Sequence, residues 1–205
     1  MRNPSILALA LAAALAGVVG CGTKTSVTQT WSAPMSPTIQ PMRKIVVMAT
    51  RMDEANRRAM EDSFVAALGA HGVEGIPSYK LFPNALPARE EAQAAVDSVG
   101  ADGILTASFK GIREQLSYSP GYYAGGFWGG YYGAGYGYTG GYAYVDDILN
   151  LETTLWDTRA GDQVVWAVLT NTTNPSSGRD FVKSVTKKVV PELARAHMIP
   201  PAPKD

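Results

Sequence analysis

The side chains able to do chemistry are few. The chain has 205 residues and two His, His71 beside Gly72 at the end of an expected helix and His197 in the last turn of another. Nothing in their spacing makes them a pair. Asp146 and Asp147 are adjacent in an expected strand, so their carboxylates point to opposite faces and make a poor acid–base dyad or metal pair. There is no GxSxG, P-loop or HExxH, and the single Cys, Cys21, excludes an internal disulfide framework and any multi-Cys metal site. The sequence predicts no catalytic residue and no metal ligand. Catalytic pairs can nonetheless lie far apart in a chain, so an enzyme remains the alternative.

The one thiol stands in a telling place. Arg2 supplies a positive start, and residues 6–19 are an unbroken run of apolar residues and Gly. At that length the run falls short of the ~20 residues that span a bilayer as a helix, and residues 1–20 read as an export signal. The run ends Val18-Val19-Gly20-Cys21, which resembles the lipobox of bacterial lipoproteins. The resemblance implies cleavage between Gly20 and Cys21, a diacylglyceryl group on the Cys21 thiol and an acyl chain on its new amine. One acyl chain holds a protein only marginally, at ~0.8 kcal/mol per buried methylene, whereas two or more anchor it stably. Gly22 follows the Cys where an inner-membrane retention Asp would stand, so the resemblance implies a lipid anchor in the outer membrane, with the domain facing the periplasm. No other cofactor is expected.

Charge narrows the partners. Lys+Arg and Asp+Glu are 18 each, and 18% of residues are charged. Nucleic acid is excluded as a partner, because no basic excess exists to neutralise phosphates. Loss of residues 1–20 removes only Arg2 and leaves a net charge of −1, so the domain is not drawn electrostatically to anionic lipid.

Residues 117–144 differ in composition from the rest. They hold nine of the 10 Tyr and ten of the 21 Gly, with Phe127 and Trp128, and carry no charge. Such a long segment between strands is usually functional or disordered, and its Gly content makes ordering entropically costly. Three readings stay open: an inert low-complexity loop, a partner-binding loop, or a paired extension of a hairpin lying on the sheet or membrane. The candidate contact residues for an envelope protein or glycan are Tyr122, Tyr123, Phe127, Trp128, Tyr131 and Tyr132, since Tyr and Trp dominate interface hot spots.

The remaining sequence supplies the scaffold. Residues 22–42, rich in Thr, Ser and Pro, read as a flexible tether spanning roughly 25 Å, with a candidate edge strand at 26–31. Strands are expected at 43–49, 73–79, 102–116, 144–156 and 163–172. Helices are expected from Asp53, over 88–99 and from Arg179. In the first, Met60, Phe64, Ala67 and Leu68 form the inward stripe, while Arg57, Arg58, Glu61 and Asp62 lie off it and are expected in solvent. Gly111 is expected to mark a bulge, Pro191 to kink the last helix, and residues 200–205 to form an exposed Pro-rich tail. Ile45, Val47, Leu105, Phe109, Leu149, Leu151, Val164 and Val168 are the expected sheet core. The fold class is α/β, with α+β as the alternative: one mixed sheet of about five strands, in the order β-α-β-α-β-β-β-α, over residues 43–199.

The run KIVVMATRMDEANRRAMEDSFVAALGAHGVEGIPSY at 44–79, ADGILTASF ending at Phe109, the aromatic insertion, and VVW…TNPSS over 164–177 together resemble a family of uncharacterised bacterial lipoproteins. The family brings no assigned activity. The element order is also similar to small α/β domains of periplasmic lipoproteins that activate peptidoglycan synthases or build curli secretion channels, an analogy of fold that carries no function. The expectation is a membrane-anchored, non-catalytic binding or assembly component of the cell envelope; an envelope hydrolase is the alternative.

Overall fold

The computed structural model describes residues 23–34, 40–83, 88–119, 122–124, 137–139, 142–161 and 163–203. Its elements run β1 (Lys24–Ser32), β2 (Lys44–Thr50), α1 (Glu54–Gly69), β3 (Glu74–Pro77), α2 (Ser78–Leu81), α3 (Arg89–Ser98), β4 (Gly103–Ser119), β5 (Tyr122–Ala124), β6 (Gly137–Thr139), β7 (Tyr142–Asp157), β8 (Gln163–Thr173) and α4 (Gly178–Arg195). Six strands form one mixed sheet in the order β1-β8-β7-β4-β2-β3, and β5 and β6 form a separate two-stranded ribbon. The fold is therefore α/β, with one more sheet strand than the five expected. The additional strand is β1, which is longer than its expected 26–31.

The sheet has a parallel part and an antiparallel part. β2 pairs in parallel with β3 and β4, as βαβ crossovers require. β4, β7, β8 and β1 pair antiparallel in succession. Helices α1 and α4 cover one face. Ile45, Val47, Leu105, Leu151 and Val168 meet Phe64, Leu68, Val185 and Leu193 there in one buried cluster. Val46, of opposite parity, is buried outside that cluster with Phe82 and Val96. A right-handed return from β3 to β4 carries α3 to that second face.

Hydroxyls tie the antiparallel side together. Thr25 of β1 lies 2.7 Å from both Thr172 of β8 and Ser184 of α4. Ser63 and Thr186 link α1 to α4 at 3.0 Å. The first part of the expected tether is thus a sheet strand with anchored side chains. The flexible span expected for residues 22–42 is not available to residues 24–32, because their alternating Thr and Val pair along the open edge of β8.

Four further expectations are corrected. Glu61, expected in solvent, is wholly buried. Its carboxylate accepts the Ala49 N–H at 3.1 Å, the Ser78 hydroxyl at 2.7 Å and the Tyr79 N–H at 3.1 Å. That triple acceptance ends β3 at Pro77 and starts α2, so the strand expected over 73–79 stops early. Val164, expected in the core, is only partly buried. The β7–β8 register shifts between Leu155 and Trp156, which places Val164 opposite Trp156 and turns Val165 and Trp166 inward instead. Phe109 and Leu149 pack against the core but are also only partly buried; they line a cleft.

The signals at Asp53 and Gly111 read as expected. Asp53 caps α1 by accepting the Asn56 N–H at 3.0 Å. Ser177 caps α4 by accepting the Asp180 N–H at 3.1 Å. Gly111 sits in the β4 register shift with φ 115, a conformation that L side chains rarely adopt. Pro191, expected to kink the last helix, lies on the exposed side of α4, which continues through it to Arg195.

Candidate functional site

A cleft of about 210 Å³ opens where β4 and β7 leave the domain. Its walls are Met60, Phe109, Leu149, Phe181 and Val182. Phe109 and Phe181 meet edge to face, with ring centres 6.4 Å apart at 78°, the arrangement that ring quadrupoles favour. The exposed polar groups at its mouth are Arg51, Asp53 and Asn56.

Two helix starts position this mouth. β2 ends at Thr50, and Arg51 then takes a left-handed backbone, φ 61, an uncommon state for a residue with a Cβ. That turn aims the chain into Asp53 and α1. The start of α4 comes close: a Cβ on Gly178 would stand 3.0 Å from Asn56 Oδ1. The positive ends of both helix dipoles therefore face the same opening.

The acids there are spent on structure. Glu54 is held down at about 2 by hydrogen bonds from Arg57, then from Arg58. Asp53 is lowered first by the Asn56 N–H, and Asp180 by the Ser176 and Ser177 hydroxyls. All three are ionised at neutral pH. A general acid or base works best with a pKa near the operating pH, and these carboxylates lie far below it.

From the cleft a strip of apolar pairs runs outward, interrupted on the same face by the exposed acidic pair Glu114 and Asp147. Ile112 pairs with Leu149, and Leu116 with Val145. Paired residues on antiparallel strands share a face, and residues two apart share it too. Phe109 and Leu151, Ile112 and Leu149, and Leu116 and Val145 therefore lie on the helix-covered face, with the Gly111 bulge keeping the parity across the shift. Beyond the helices the strip is bare: Ile112 is 61% exposed, Val145 57% and Leu116 73%.

The residues singled out in the sequence fall as follows. Gly20, Cys21, Phe127, Trp128, Tyr131 and Tyr132 lie outside the described residues. Tyr122 and Tyr123 lie in β5, paired with Thr139 and Tyr138. With Ser117, Tyr118 and Ser119 of β4 paired to Tyr144, Ala143 and Tyr142 of β7, both flanks of the Gly/Tyr segment are paired strand rather than open loop. Asp146 accepts the Ser117 hydroxyl at 2.5 Å and also the Asn174 amide, whose oxygen takes the Asp147 N–H at 2.8 Å. The Asp pair is thus a fastening of β7 to the β8–α4 turn. His71 Nδ1 donates to the Pro200 carbonyl at 3.0 Å, at the end of α1 remote from the cleft. Among the described residues, no group of three His, Cys, Asp or Glu could hold a metal ion.

The cleft was not legible in advance. Phe109 and Leu149 read as core strand positions, and Phe181 was not singled out. Only the convergence of two helix starts on one strand pair brings them together. An uncharged aromatic segment flanked by apolar strands was the one signal of the strip.

No family model matches the chain, and no curated protein matches it significantly. Several solved structures do. The PelC dodecamer from Paraburkholderia phytofirmans gives a TM-score of 0.44 at 15% identity, over 86% of this chain and 99% of that chain. The lipoprotein GNA1162 from Neisseria meningitidis gives 0.41 at 16% identity, over 74% of this chain and 98% of that chain. TolB from Acinetobacter baumannii gives 0.40 at 14% identity, over 85% of this chain but 31% of that chain. These are similarities of fold, with a bacterial lipoprotein among them, and no activity passes across them.

Proposed function

We propose that this chain is a lipoprotein of the bacterial cell envelope, anchored in the outer membrane through Cys21 and facing the periplasm, that binds and does not catalyse. The cleft at the starts of α1 and α4, with the strip beyond it, is its binding face. The observation that carries this reading is the open apolar cleft walled by Met60, Phe109, Leu149, Phe181 and Val182, with exposed Ile112 paired to Leu149 at its edge. Single exposed apolar residues are ordinary, whereas an open apolar cleft rimmed by a few polar groups is the usual form of a binding site. The one carboxylate at the mouth, Asp53, is lowered by the Asn56 N–H that it caps, which favours binding over acid–base chemistry.

The anchor is supported by the lipobox-like run before Cys21. No described helix is long and apolar enough to cross a membrane. The reading predicts that Cys21→Ala incorporates no radiolabelled palmitate and leaves the membrane fraction after a high-salt wash. A Cys21→Ala protein still held by washed membranes would overturn it.

A further inference from the structure

We propose that the end of the β4–β7 hairpin is a second membrane contact, seated at the interface of the same lipid layer that holds Cys21. This rests on the anchor reading above and adds to it the orientation of the domain. Lys24 of β1 pairs with Thr173 of β8, Thr173 with Ile148 of β7, and Ile148 with Arg113 of β4. These four residues form one row across the sheet. β1 and β7 run in the same direction, so the chain before Lys24 leaves at the end from which the hairpin protrudes. Thr23 is tied there by the Ser176 N–H at 3.4 Å. Cys21 is two residues further on, at most about 7 Å away.

The hairpin overshoots that point. β4 and β7 stay paired for six residues past the row, to Ser119 and Tyr142, about 20 Å at strand rise. A lipid surface at Cys21 that lies across the strand ends meets the hairpin. The charges are graded to suit: Glu114, Asp146 and Asp147 lie within the first three positions past the row, and from Leu116 to Val145 the chain has no charge. Apolar Leu116 and Val145 stand bare at the start of that uncharged stretch. The paired end carries Tyr118, Tyr142 and Tyr144, and Tyr favours the headgroup level. Unpaired strand edges are costly in hydrocarbon, so the hairpin lies at the interface and does not span.

The test uses the mature lipidated protein in phosphatidylcholine vesicles. Cys21 then carries lipid, so Val145→Cys supplies the one free thiol for an environment-sensitive fluorophore, with Ala160→Cys, in the exposed β7–β8 turn, as the control. The expected result is blue-shifted emission at Val145 and nitroxide-lipid quenching several-fold above that at Ala160. Equal, water-like labels on protein that floats with the vesicles would overturn the hairpin contact while leaving the anchor intact. A second arm places Val145→Cys on the unlipidated Cys21→Ala chain, tethered by an N-terminal His tag to nickel-chelating lipid. It reads the hairpin independently of lipidation, so failure of the native chain to float counts against the anchor alone. A Val145 shift that needs added envelope protein or peptidoglycan, and does not occur with lipid, would also overturn the proposal.

Discussion

Glu61 is the residue whose environment departs most from its sequence pattern. It sits next to the inward stripe of α1, and only the return of the chain at Ser78 and Tyr79 explains why a carboxylate is buried there. No spacing along the helix encodes that partner, whereas Met60, Phe64 and Leu68 were legible because the partner of an apolar stripe is simply the sheet. Glu61→Ala would leave the Ala49 and Tyr79 N–H groups without an acceptor and Arg57, 3.6 Å from Glu61, without that charge. The expected loss is about 3–5 kcal/mol, the usual cost of removing one partner from a buried charged network. Asp62→Ala, beside it but exposed and bonded to the Tyr79 hydroxyl, should change stability by about 0.5 kcal/mol or less. Urea midpoints of the two variants check this, and equal midpoints would contradict the burial of Glu61.

Among the elements, β4 carries the most consequence. Its first half was legible from Leu105, Ala107 and Phe109 on one face, and its bulge from Gly111. Its length was not, because an uncharged Gly- and Tyr-rich sequence gives no period of two, and pairing with β7 rather than alternation extends it. Gly111→Val should cost about 1–3 kcal/mol through its positive φ and loosen the register that keeps Ile112 and Leu116 on the cleft side. A urea midpoint equal to that of the unchanged protein would contradict the bulge. The β7–β8 turn contributes differently. Burial alone would raise the Asp157 carboxyl, but the Arg159 hydrogen bonds and charge outweigh it and hold it below its ordinary value. A lowered folded value means that the unfolded chain takes up the proton more readily. This contribution is therefore present above about pH 4 and lost as the pH falls through the folded value. Arg159 is about a third exposed, so Arg159→Ala should cost about 1 kcal/mol near neutrality and progressively less in acid. A cost that is constant across urea titrations from neutral to acidic pH would count against the pair.

At the scale of the whole molecule, the sheet joins the N-terminal strand β1 to the strands that line the cleft. The α/β class and the order of elements were legible because each helix and strand has its own period. The meeting of the α1 and α4 starts beside β4 was not, because it depends on crossovers and on the β7–β8 return. Ser117 and Ala143, at the ends of the Gly/Tyr segment, stand outside the main buried cluster, and the domain is expected to fold without most of the segment. Removing residues 122–139 leaves Pro120, Gly121, Gly140 and Gly141 between paired Ser119 and Tyr142, a length that hairpins close readily. Because loop closure changes by only ~0.6 kcal/mol per doubling of length, the melting transition should stay close to that of the full chain. A drop of many degrees would mean that the segment supports the sheet. The most direct measurement is the intact mass of the protein extracted from membranes in detergent. The account predicts a chain that begins at Cys21 and carries a diacylglyceryl group and an N-linked acyl chain. A chain that keeps residues 1–20, or one with an unmodified Cys21, would contradict it.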